Sequence, residues 1–96
     1  MRLSQLAVEA LGYALTLTGD CEIGSISADS REQTEKGLFF CIKGAHFDAH
    51  RFAPQAIKNG AVALVVSQLQ EDLEVPQLLV SNDRAAMALI ARAFYG

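Results

Sequence analysis

Asp29, Ser30 and Arg31 directly follow the run Ile26-Ser27-Ala28, and Lys43, Gly44, Ala45, His46, Phe47, Asp48 and His50 follow Leu38-Phe39-Phe40-Cys41-Ile42. Both runs have strand character, so their polar followers should converge where buried strands emerge, the place where α/β sheets usually bind ligands. A serine hydroxyl donates or accepts, an arginine guanidinium forks onto phosphate, and backbone amides at strand ends can read the edge of a base. Gly44 permits a close backbone approach, while His46 and Phe47 can stack on or bond to a planar ring. This inventory fits a nucleotide-like ligand without naming one. The same residue types have plainer uses, since Asp and Ser commonly cap turns and Arg commonly sits in solvent.

Other constellations carry less. His46 and His50 are four apart, a spacing that brings side chains together on a helix, but Gly44 and the intervening Phe47-Asp48-Ala49 read as a loop. With no third ligand nearby, no metal site is expected. Cys21 and Cys41 lack the close spacing of a metal or redox pair, and two cysteines make a poor disulfide framework. Cys41, inside its apolar run, is expected to be a small buried hydrophobe.

The elements that must position these groups follow from periodicity. Leu3, Leu6, Ala7, Ala10 and Leu11 form a helical stripe that Gly12 ends. Residues 23–28 alternate as a strand, Glu32 to Gly37 is a solvated connection, and Leu38 to Ile42 reads as a central strand. A second helix is expected over Arg51 to Lys58, with Pro54 in its first turn and Asn59-Gly60 closing it in a left-handed cap. Ala61 to Val66 is the clearest buried strand, and Gln77 to Val80 a shorter one after the acidic loop around Glu71 to Glu74. Ser81 or Asn82 can cap a last helix with the stripe Met87, Ile90, Ala91 and Phe94. The order helix, strand, strand, helix, strand, strand, helix predicts an α/β fold: a single small three-layer domain with a mixed or mostly parallel sheet flanked by helices.

Composition narrows the function classes. At 96 residues, 51% hydrophobic and 20% charged, the chain is expected to be one compact domain. A formal charge of −3 gives no broad attraction to polyanions, which argues against nucleic-acid binding. No apolar run approaches the roughly 20 residues that span a bilayer, and the N-terminus leads into an amphipathic helix and not a signal sequence, so no membrane association is expected and a cytoplasmic location is.

Asp29-Ser-Arg31, Leu38-Phe-Phe-Cys-Ile-Lys-Gly44, Phe47-Asp-Ala-His50 and Phe52-Ala-Pro-Gln-Ala-Ile-Lys-Asn-Gly-Ala-Val-Ala-Leu-Val-Val66 together resemble the N-terminal domain of the Mur ligases, nearly throughout the chain from Ile26 onward. That family consists of ATP-dependent amide-bond-forming ligases that extend the peptide of the cell-wall precursor UDP-N-acetylmuramic acid. Residues 84–96 are more similar to the MurE type, which adds the third residue (meso-diaminopimelate or lysine), than to the MurF type, which adds D-Ala-D-Ala.

The resemblance implies that residues 1–96 form the domain holding the uridine diphosphate end of the precursor, with partner ATP-binding and C-terminal domains of the same ligase. By position, Ala28 and Ser30 match residues that contact the uridine, and Ala45, His46 and Phe47 match a second uridine-contacting loop. Asp29, Arg31, Gly44, Asp48 and His50 belong to the same motifs, Asp29, Arg31, Asp48 and His50 with a turn-shaping role equally open to them. Where the family often has Pro-Gly-Asp before Leu-Phe, this chain has Glu35-Lys36-Gly37, a change expected to affect a surface turn.

The family's glycine-rich phosphate loop ending in Gly-Lys-Thr does not occur in these residues, nor does its carboxylate-rich magnesium site or carbamylated lysine. The expectation is a substrate-binding domain, excised or separately encoded, with no catalytic residue or cofactor of its own, ATP and Mg2+ serving the full-length ligase. Two alternatives come from other classes: a binding or regulatory module that kept the fold and lost the nucleotide contacts, or a partner-binding protein using the Leu3, Leu6, Leu11 stripe or the Met87, Ile90, Phe94 stripe. Core packing is the expected role of both stripes.

Overall fold

The computed structural model describes residues 1–12 and 16–96. In chain order the elements are α1 (Leu3–Leu11), β1 (Thr16–Leu17), β2 (Ser25–Ser27), β3 (Gly37–Phe40), a 3-10 turn (Ala49–Phe52), α2 (Ala53–Lys58), β4 (Ala61–Val66), β5 (Gln77–Leu79) and α3 (Asp83–Tyr95). They build one five-stranded sheet in the order β1-β5-β4-β3-β2. The four strands β2 to β5 are parallel neighbours, and β1 pairs antiparallel with β5 at the edge. The expected mixed, mostly parallel sheet is therefore present. The two-residue β1 is an addition, too short to leave a periodic signal.

Side-chain alternation along the strands separates two cores. Leu38 and Phe40 of β3 and Ala63 and Val65 of β4 face α1 and α3, packing with Leu3, Leu6, Ala7, Ala86 and Ile90. Phe39 and Cys41 face the other way with Leu64 and Val66, against Ala49, Ala53 and Ala56 of the 3-10 turn and α2. Alternation breaks at Val62-Ala63, both on the first face, where the register of β3 with β4 slips by one residue between Gly37 and Leu38. Cys41 is fully buried, and burial pushes its thiol up to about 12, which keeps it an unreactive hydrophobe.

Three helix ends follow their sequence signals, whereas α2 ends at Asn59 with φ −93° and not in the expected left-handed conformation, the positive φ of that pair falling on Gly60 alone. Gly12, with φ +69°, closes α1 by returning its amide to the Val8 carbonyl, and Asn82 caps α3 by accepting from the Ala85 amide at 3.0 Å. Pro54 lies in the first turn of α2, preceded by the 3-10 turn that the sequence pattern merges into the helix.

The cap of α1 comes from a distance. Arg2 provides no side-chain cap; instead Asp20 accepts from the Ser4 hydroxyl at 2.7 Å and the Ser4 amide at 2.9 Å, and pairs with Arg2. The Ser4 hydroxyl and amide hold the Asp20 carboxyl well below the usual range, so the stability it contributes is complete above an ordinary carboxylate pKa of about 3.9 and is lost as pH falls from there through the lower folded value. Asp20→Ala should lower the melting temperature at pH 7, and the gap to wild type should narrow at pH 3. A gap independent of pH in thermal melts would remove the carboxylate from the account.

Candidate functional site

Because β2, β3, β4 and β5 are parallel, their C-terminal ends share one edge of the sheet, and the segments after β2 and β3 leave side by side. Between them lies an open groove of about 510 Å³. Ala28, Asp29, Ser30 and Arg31 form one wall, Phe47, Ala49, Phe52 and Gln55 the other, and Phe39 lies between them.

The first wall is a tight polar turn. Ser27 Oγ accepts from the Asp29 amide at 3.0 Å, and Asp29 accepts from the Arg31 amide at 2.9 Å. Asp29 also takes both Nε and Nη2 of Arg31, at 3.0 and 3.1 Å, and that side-chain bonding holds its carboxyl below its ordinary pKa. Arg31 is thus already engaged in the fork that the sequence offered to a phosphate. The pair is solvent-exposed, and such pairs contribute little to stability, so exchange of Asp29 for a ligand phosphate costs little. Ser30 is tied to α2 at both ends of the residue: its hydroxyl donates to Gln55 Oε1 at 3.1 Å, and its carbonyl accepts from Asn59 Nδ2 at 2.9 Å.

The second wall is aromatic. Lys43 and Asp48 bridge across a turn that the Gly44 amide closes onto the Phe47 carbonyl. Phe47 emerges 56% exposed and stacks on Phe52, with ring centroids 5.4 Å apart and planes 22° apart. Arg51 lies over the Phe52 ring at 5.5 Å. An exposed ring held in place by a second ring is a ready platform for another flat group.

Of the residues singled out in the sequence, Ala28, Asp29, Ser30, Arg31 and Phe47 line the groove together. Gly44, Ala45 and His46 belong to the adjoining turn, with Ala45 and His46 exposed, and do not line it. Asp48 and His50 serve the turn that presents the second wall. His50 is buried; its Nδ1 lies 2.6 Å from Asp48 Oδ1, and its Nε2 accepts the Ser67 amide at 3.1 Å, which places the ring proton on Nδ1. The His50 amide and ring also hold the Asp48 carboxyl below its ordinary pKa. Among the described residues, no cluster of three or more His, Cys, Asp or Glu could hold a metal ion, and no helix is long and apolar enough to cross a membrane.

The sequence reading passed over Phe39, Ala49, Phe52 and Gln55. Phe52 and Gln55 are three apart, the spacing that puts two residues on one face of a helical turn, and Gln55 is the polar member among Ala53, Pro54 and Ala56. That pattern was the available signal.

Comparison with known proteins extends the picture. A family model described as "Mur ligase family, catalytic domain" matches residues 22–95. The chain is 48% identical over 96 residues to a UDP-N-acetylmuramoyl-L-alanyl-D-glutamate-2,6-diaminopimelate ligase of Halalkalibacterium halodurans, covering 100% of this chain and 20% of that protein. It is 41% identical over 78 residues to a UDP-N-acetylmuramoyl-tripeptide-D-alanyl-D-alanine ligase of Haemophilus influenzae, covering 79% of this chain and 17% of that one. Among solved structures, MurF from Acinetobacter baumannii superposes with a TM-score of 0.74 at 27% identity, over 93% of this chain and 20% of that chain. The chain thus spans about a fifth of the length of the curated relatives it matches.

Proposed function

This chain belongs to the Mur ligase family, and we propose that it is the domain of such a ligase that anchors the uridine diphosphate end of a UDP-N-acetylmuramoyl-peptide. The observation that carries the proposal is the groove at the parallel strand ends. One wall is the polar turn Ala28 to Arg31, the other the Phe47 ring stacked on Phe52. A base stacks on the exposed ring, the Ser30 turn offers hydrogen-bonding groups, and Arg31 can trade Asp29 for phosphate oxygens. Ala45 and His46, one turn away, can close over a bound nucleotide.

The substrate proposed is UDP-N-acetylmuramoyl-L-Ala-D-Glu and the parent reaction a MurE-type addition of the third amino acid. Matches over the whole chain to three diaminopimelate ligases, at 40% identity or more, support this choice over a D-alanyl-D-alanine ligase. ATP and Mg2+ would be held by an ATP-binding domain, and the incoming amino acid by a C-terminal one, in the cytoplasm. This domain's share of the mechanism is positional. Binding energy gained at the nucleotide end, remote from the reacting carboxylate, can be used to orient the reacting end, so its loss should depress turnover as well as affinity.

Titration of the isotopically labelled chain with UMP and with the UDP-linked dipeptide should give saturable amide shifts at Ala28 to Arg31, Phe47 and Gln55, and none with ATP. Phe47→Ala should weaken UMP binding about tenfold, the scale of one base-aromatic stack. Absence of saturable shifts at millimolar UMP and precursor would refute the anchoring role.

A further inference from the structure

Resting on that anchoring reading, we infer that Gln55 is a specificity-determining residue that sets the hydrogen-bonding pattern of the groove edge, through Ser30 and through its own amide. A serine hydroxyl has one proton and two lone pairs. With the Ser30 proton committed to Gln55 Oε1 at 3.1 Å, Ser30 Oγ faces a ligand as an acceptor only. The Nε2 group of Gln55 has no protein partner among the described residues and presents donors beside it. Both side chains line the groove, so its edge shows an acceptor next to a donor.

This arrangement is held firmly enough to discriminate. Asn59, one helical turn beyond Gln55, bonds the Ser30 carbonyl at 2.9 Å, and its own carbonyl accepts from the Thr34 amide at 2.8 Å. Asn59 Oδ1 takes the Gln33 amide group at 2.8 Å. The backbone of the turn carrying Ser30 is thereby referenced to the end of α2, the helix that carries Gln55, and the two side chains meet through their single bond.

An acceptor beside a donor complements the edge of uracil, where an N3–H donor sits next to a carbonyl acceptor. With Ser30 opposite N3 and Gln55 opposite the C4 substituent, the register assigned here, the pair opposes cytosine, whose N3 is an acceptor and whose C4 substituent is a donor. Reversing the Gln55 amide would make Nε2 donate to Ser30, free the hydroxyl proton and favour cytosine, so the orientation of one side chain decides between the two bases.

The test is the ratio of UMP to CMP affinity, measured on the 96-residue chain by calorimetry or NMR titration. Wild type should prefer UMP by about tenfold, the lower part of the range for a complementary pair of hydrogen bonds. Gln55→Glu keeps an acceptor for Ser30 but replaces the donor with a second oxygen; it should lose the preference, with an unchanged melting temperature. Gln55→Met removes both groups and should bring the ratio close to one. A ratio retained in both variants but lost in Ser30→Ala would show Ser30 reading the base alone and would overturn the role of Gln55. Wild-type binding of both nucleotides without preference would overturn it while leaving the anchoring function standing, and a preference for CMP would overturn it and count against a uridine ligand as well. No binding of either would dismiss both.

Discussion

Gly60→Ala is expected to destabilise the domain by about 4 kcal/mol, close to the whole stability of a small fold. Gly60 has φ +113°, where side chains other than hydrogen are strained, and a β-carbon there would stand 1.8 Å from the Thr34 carbonyl oxygen. That oxygen cannot step aside cheaply. The Thr34 amide is bonded to the Asn59 carbonyl at 2.8 Å and the Gly37 amide to the Gly60 carbonyl at 3.2 Å, so the segment entering β3 is stitched to the one entering β4. Urea unfolding should separate strain from collision by comparison with Gly12→Ala. Gly12 also has a positive φ, +69°, but open space around it, and its replacement should cost about 1–2 kcal/mol. Equal costs at the two positions would mean that the Thr34 approach carries none of the effect.

His50→Ala should cost about 3 kcal/mol, from two lost hydrogen bonds and the space left by a side chain that is 8% exposed. The imidazole joins the Asp48 carboxylate to the Ser67 amide at the end of β4, so it pins the 3-10 turn to the sheet. Ala49 and Phe52, on that turn, contribute to the groove, and ligand affinity should fall with stability. His46→Ala, at an exposed site in the neighbouring turn, should leave the melting temperature nearly unchanged. Chemical denaturation of the two variants side by side checks both statements, and a His50→Ala protein as stable as wild type would contradict the bridging role.

What the sequence disclosed and what it withheld have physical reasons. β4 could be read at its full extent because six consecutive apolar residues end at Gly60 on one side and Ser67 on the other. The helices α1 and α3 could be read because Leu3, Leu6, Ala7 and Met87, Ile90, Phe94 recur at helical spacing, although Ala86, which the α3 stripe left out, is the residue buried alongside Ile90 while Met87 and Phe94 are only partly covered. Asp20 as the cap of α1 was hidden, since its partners lie 16 residues or more away and nothing local signals such a contact. The groove was half visible: residues adjacent to strand ends announced themselves, whereas Phe52 and Gln55 reach it from a helical segment returning over the sheet. The Glu35-Lys36-Gly37 turn holds a further surprise, with Lys36 at φ +54°. The family's usual glycine would adopt that conformation freely, and this chain accepts a strained lysine there.

Half of the buried second core is alanine: Ala49, Ala53, Ala56 and Ala61 against Phe39, Cys41, Leu64 and Val66. Methyl groups therefore act as the spacers that set how high α2 rides above the sheet, and Gln55 is carried on its opposite side. A bulkier residue at position 53 or 56 would lift the helix, widen the opening and draw the Gln55 amide away from Ser30. Ligand preference in such a domain can thus drift over evolutionary time through changes that touch no ligand-facing side chain, and two proteins with the same groove residues can differ in what they hold.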